Sequence, residues 1–114
     1  LCGSYDSSKG VLTILQCSLP ETPSAYVNGQ WGPQEDPFAG DAINSYNDGP
    51  VEDGSIMGPF YEIETSSPGA ELAPGASLTH TQKVIHIQGK DEQLAPIVQK
   101  LFGADLNVIK TKFQ

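Results

Sequence analysis

The sequence predicts a mainly β fold, antiparallel, with one C-terminal α-helix. Three observations carry that reading: short β-branched or alternating runs between turn residues, a high turn content, and one late stretch with helical periodicity. Twelve Gly and nine Pro in 114 residues mark frequent turns between short strands and argue against a helical bundle. A chain of 114 residues suits a single domain, 1–114, with one modest core.

The elements follow in chain order. Residues 11–19, Val-Leu-Thr-Ile-Leu-Gln-Cys-Ser-Leu, are β-branched and apolar and stop at Pro20, which reads as a strand. Residues 1–5 supply its hairpin partner across the turn Ser7-Ser8-Lys9-Gly10. That hairpin brings Cys2 and Cys17 onto neighbouring strands. Two cysteines make no framework, so free, buried thiols are expected, with a disulfide left open. Residues 21–54 are dense in Pro, Gly, Asn and Asp, and structureless stretches of that length in compact domains are often functional. Within them, residues 42–46 are expected to form one short strand.

Residues 60–65 alternate: Tyr61, Ile63 and Thr65 share one face, and Phe60, Glu62 and Glu64 the other. After the turn Ala73-Pro74-Gly75-Ala76 a longer strand is expected over 77–88, with His80 and His86 on one face. Neither face of that strand is cleanly apolar. Leu94, Ile97, Val98, Leu101 and Phe102 recur at helical spacing and form one apolar stripe. Asp91 is the expected N-cap and Gly103 the left-handed residue that ends the helix. Pro96 fits only a first turn, which argues for a start after Asp91. Residues 106–110 read as a short final strand.

Charge narrows the partners. Six Lys+Arg face 14 Asp+Glu, a formal net charge of −8. Nucleic-acid binding needs a cationic footprint, which is missing, and the same field repels anionic lipid surfaces. No apolar run approaches the roughly 20 residues that cross a bilayer. Neutral ligands remain. The start at Leu1 suggests a processed or truncated chain.

Three groups of residues suggest chemistry. Glu62 and Glu64 on one strand face belong either to a solvated surface or to a polar cleft, where a desolvated carboxylate serves as a general base. Asn44-Ser45-Tyr46-Asn47-Asp48-Gly49-Pro50 is rich in turn formers. The same stretch offers Asn47 and Asp48 to sugar hydroxyls, while Tyr46 or Trp31 stacks on a sugar ring. His80 and His86 lie six residues apart on one strand, about 20 Å, too far to share a metal ion. His80 instead suits a contact with Glu62 or Glu64, and a structural hydrogen bond is the plainer alternative. No zinc motif or EF-hand loop is present, and no cofactor or metal is expected, with calcium at Asp41, Asp48 or Asp53 left open.

The order Phe60, Glu64-Thr65, Pro68, Leu72, Pro74-Gly75, then a Thr-rich strand, resembles the C-terminal signature of galactose mutarotases (aldose 1-epimerases). This resemblance covers residues 58–88. Gly3-Ser4-Tyr5-Asp6, Gly40-Asp41 and residues 44–50 are in turn similar to the C-terminal region of an uncharacterised bacterial family of that superfamily. The resemblance implies an antiparallel β-sandwich, part of a galactose-mutarotase-like super-sandwich, and makes this chain its C-terminal portion. It places the catalytic base at Glu64. The family's acid, a His from well upstream, has no counterpart here, since both histidines follow the Glu-Thr pair. Sugar binding is therefore the expected function, with epimerase chemistry resting on Glu64, and Glu62, His80, Asn47, Asp48, Tyr46 and Trp31 as the binding set. The alternative is a structural module that completes its sandwich with a second copy or a missing N-terminal half. The residues themselves set no compartment; the resemblance leans toward periplasm or secretion.

Overall fold

A computed structural model of the chain describes residues 1–112. Its elements in chain order are β1 (Cys2–Asp6), β2 (Val11–Cys17), β3 (Ile43–Asn47), β4 (Tyr61–Thr65), β5 (Gln82–Gln88), α1 (Asp91–Phe102) and α2 (Leu106–Thr111). The strands form two sheets, one of order β1-β2-β5 and one pairing β3 with β4. The mainly β, antiparallel expectation holds at this level. The chain divides into two compact units: Leu1–Gln16 with the chain from Lys83 onward, and Cys17–Gln82.

The first unit holds the apolar core. β1 and β2 form the expected hairpin, with Cys2 opposite Leu15 and Tyr5 opposite Leu12. Gly10 closes the turn at φ 61°, a left-handed conformation that favours glycine. The register leaves Cys17 two residues beyond Cys2's partner. Such diagonal neighbours lie at roughly 7–8 Å, outside disulfide reach. The two thiols are half-buried and not bridged. Pairing β2 between β1 and β5 makes it the central strand, and alternation sends Leu12 and Ile14 to the face covered by the helices. There they meet Leu94 and Val98 of α1, one turn apart, and Leu106 of α2. Each such buried side chain contributes about 1.5–3 kcal/mol relative to exposure.

The helical stripe forms as periodicity predicts, with Ile97 and Phe102 half-buried around Leu94 and Val98; Leu101 is exposed. The N-cap is Lys90, one residue before the expected Asp91. Gln93 explains the shift: its side-chain oxygen accepts the Lys90 N–H at 2.9 Å, the reciprocal half of a capping box. Asp91 is occupied elsewhere, by the Tyr5 hydroxyl at 2.5 Å and the Lys110 ammonium. Pro96 sits inside the helix rather than in its first turn. The carbonyl it leaves unpaired belongs to Glu92, an exposed residue whose carbonyl water can serve. Gly103 ends α1 at φ 64°, as expected.

Two strand expectations need correction. Residues 106–110 form α2, not a strand. Val108 and Ile109 favour β structure, but the Asp105 side chain accepts the Asn107 N–H at 2.8 Å and starts a helix that buries Leu106. The longer strand expected over 77–88 is regular only from Gln82. Just before it, the Thr81 N–H donates to Ser18 Oγ at 3.0 Å, so a side chain replaces the ladder acceptor.

The second unit has little buried apolar surface and is organised by hydrogen bonds. β3 and β4 pair in antiparallel register, Ile43 opposite Thr65 and Asn47 opposite Tyr61. Backbone bonds from Ser66 N–H to Ala42 O at 2.9 Å and from Asp48 N–H to Phe60 O at 3.2 Å extend the ladder at both ends. Among the described residues, no helix is long and apolar enough to cross a membrane.

Candidate functional site

The register of β3 and β4 decides which polar residues meet. Asn44 lies opposite Glu64 and Tyr46 opposite Glu62, so these four side chains share one face of the two-stranded sheet. That face floors an open groove of about 630 Å³, within the usual range for small-molecule sites. Val27, Asn28, Gly29, Gln30 and Trp31 form a further part of its lining, with Met57 beside them. The groove therefore combines two carboxylates, three amides, an indole, a phenol and a thioether.

The loop that carries Trp31 is a closed turn rather than loose chain. Tyr26 and Ala39 form an isolated bridge. The Asn28 N–H donates to Pro37 O at 2.9 Å and the Gly40 N–H to Tyr26 O at 2.9 Å. Inside the loop, Asn28 Oδ1 accepts the Gln30 N–H at 3.0 Å, an Asx-type turn. Gln34 Nε2 reaches the Asn28 and Gln30 carbonyls, each at 3.2 Å. Gly40 is required by space: a Cβ there would lie 2.1 Å from the Val27 carbonyl oxygen. Closed in this way, the loop holds Trp31 on the groove while leaving it 94% exposed. The exposed indole offers a flat apolar face on which a planar ligand face can stack.

On the floor, Tyr46 packs against Phe60 with ring centroids 6.0 Å apart and a 38° tilt. Its hydroxyl donates to Asp48 Oδ1 at 2.8 Å, and Asp48 Oδ2 accepts the Gly58 N–H at 2.8 Å. The bond from Gly58, followed by that from Tyr46, holds the Asp48 carboxyl below its ordinary pKa. The same contact with Asp48 pushes the Tyr46 phenol up. Asp48 thus clamps the loop after β3 to the segment before β4 and fixes the Tyr46 ring.

Of the residues singled out in the sequence, Glu62, Glu64, Tyr46 and Trp31 come together on the groove. Asn47 belongs to the opposite face of β3, paired with Tyr61. Asp48 acts as the clamp. His80 is half-buried and meets Thr65 Oγ1 at 3.1 Å, on the face away from both glutamates; Thr65 also hydrogen-bonds Gln82. Asn28, Gln30, Asn44 and Met57 join the lining without having been singled out. Asn44 was readable, since it stands two residues before Tyr46 on one strand. Asn28 and Gln30 carried no signal beyond their place in a long polar loop.

Glu62 and Glu64 are both exposed, so Glu64 lacks the burial that would suit a desolvated base. No histidine lines this groove among the described residues. No group of three or more His, Cys, Asp or Glu that could hold a metal ion occurs among the described residues.

Residues 1–113 match a protein family described as a family of unknown function (DUF6786), and the chain belongs to that family. No curated protein and no solved structure matches it.

Proposed function

We propose that this member of a family of unknown function is a carbohydrate-binding β-sandwich module of the galactose-mutarotase-like type, which takes its sugar in the β3–β4 groove. The single observation that carries the reading is a closed loop presenting a 94% exposed Trp31 beside amide and carboxylate side chains on one sheet face. Sugars offer an apolar ring face and a rim of hydroxyls. Stacking on Trp31 or Tyr46 matches the first, and Asn44, Asn28, Gln30, Glu62 and Glu64 match the second. Glu64 is the base that the resemblance to mutarotases implies. With no histidine beside it among the described residues, the groove binds its ligand without turning it over.

Trp31 is the only tryptophan, so its fluorescence reports this groove directly. Titration with monosaccharides should give a saturable change, weakened about fivefold or more by Glu64→Ala or Tyr46→Ala, the scale of a lost hydrogen bond or ring contact. No saturable response to any aldose would end the sugar reading.

A second reading has one specific observation behind it. Among the described residues, the sheet of order β1-β2-β5 ends at β1 and β5, and sheet edges invite strand addition. On that reading the chain is an assembly module that completes a sandwich with another copy or with an N-terminal half. A monomeric mass in solution together with saturable sugar binding favours the first reading. A concentration-dependent dimer that binds no sugar favours the second.

A further inference from the structure

The charges of this chain are unevenly divided along it. All six cationic side chains are lysines, at positions 9, 83, 90, 100, 110 and 112. The unit Cys17–Gln82, which contains the groove, therefore has no Lys or Arg, yet it carries ten of the 14 carboxylates. Glu62 and Glu64 bring two of those onto the groove itself. As alternate residues of β4 they stand about 7 Å apart on one face. Among the described residues neither forms an ion pair. Two like charges at that spacing repel, and a cation placed between them relieves the repulsion. The Trp31 and Tyr46 rings line the same groove, and the faces of such rings attract cations as well as sugar rings. An anionic ligand would meet the reverse: two carboxylates, no cation to pair with, and the field of the other eight.

Resting on the sugar-binding reading above, we infer that the groove selects a sugar carrying a protonated amine, with Glu62 and Glu64 as the residues that set this specificity. The amides Asn28, Gln30 and Asn44 take the hydroxyls, Trp31 takes the ring, and the two carboxylates take the ammonium, or a hydroxyl where the sugar has no amine. Neutral hexoses keep the stacking and the hydroxyl contacts and lose the charge. Uronic acids and sugar phosphates are rejected.

The test compares glucosamine, glucose and glucuronate on the full chain, by calorimetry and Trp31 fluorescence at low salt, with ethanolamine as an ammonium that lacks the ring. Glucosamine should bind roughly 5–20-fold more tightly than glucose, the scale of two exposed ion pairs acting together, and glucuronate more weakly than glucose. Added salt at about 0.5 M should shrink the preference, because exposed pairs are screened. The double variant Glu62→Gln, Glu64→Gln should bring the glucosamine-to-glucose ratio within about twofold. Both side chains are exposed, so the amides replace them without disturbing a core. Equal binding of glucosamine and glucose would overturn the selectivity while leaving sugar binding in place. Ethanolamine binding as tightly as glucosamine would overturn the role of the ring. Absence of binding to all four would remove the sugar reading and this inference with it.

Discussion

Asp91 and Gly40 show how much single residues decide here. Asp91 accepts a hydrogen bond from the Tyr5 hydroxyl and an ion pair from Lys110, tying β1, α1 and α2 together. The Lys110 contact first, then Tyr5, holds its carboxyl below the ordinary 3.8, and the Tyr5 phenol is pushed up from 10.0 to about 12 by that same carboxylate. The signs follow by linkage. Asp91's contribution is complete above its unfolded pKa of about 3.9 and is lost as pH falls through its lower folded value. Tyr5's contribution is complete below pH 10 and is lost as pH rises to about 12. The unfolding temperature should therefore fall on both sides of a broad plateau, and Tyr5→Phe should flatten the alkaline arm while leaving most of the acid arm. An unchanged alkaline arm in Tyr5→Phe would contradict this assignment. In the other unit, Gly40→Ala forces a Cβ to 2.1 Å from the Val27 carbonyl oxygen, so the loop must open. Proteolysis should then cut within residues 28–39, and sugar binding should fall by at least tenfold even though no groove side chain has changed. Intact proteolytic resistance in that variant would show that loop closure does not depend on this approach.

The elements differ in how plainly their sequences announce them. Leu94→Ala removes a fully buried side chain from the helix–sheet core and should cost about 2–5 kcal/mol in denaturant unfolding. Asp105→Ala removes the cap of α2 and should cost about 1 kcal/mol. Periodicity was enough to find α1, because its stripe repeats over three turns. It failed at α2, where six residues include three β-branched ones and the capping hydrogen bond at Asp105 decides the outcome. β1 to β4 were legible from alternation and flanking turns, within one or two residues at each end. β5 began later than alternation implied, since Ser18 satisfies Thr81 through its side chain, a contact 63 residues away in sequence. The site divides on the same line. Glu62, Glu64 and Tyr46 share a face by period two alone, whereas the position of Trp31 depends on hydrogen bonds between residues 26–28 and 37–40 that no local pattern encodes.

At the scale of the whole molecule, the apolar core and the groove proposed to bind sugar belong to different parts of the chain. The apolar core lies in the unit formed by the two ends of the chain, and the middle of the chain carries the groove and most of the negative charge. Core substitutions such as Leu94→Ala should thus lower stability with little effect on ligand affinity at temperatures where the chain stays folded, and groove substitutions should do the reverse. The most direct test of the central claim is amide chemical-shift mapping of the isotopically labelled chain during titration with an aldose. Saturable shifts are expected at residues 28–31, 44–46 and 62–64, with the helical core unmoved. Shifts gathered instead around α1 and α2, or none with any aldose, would contradict it.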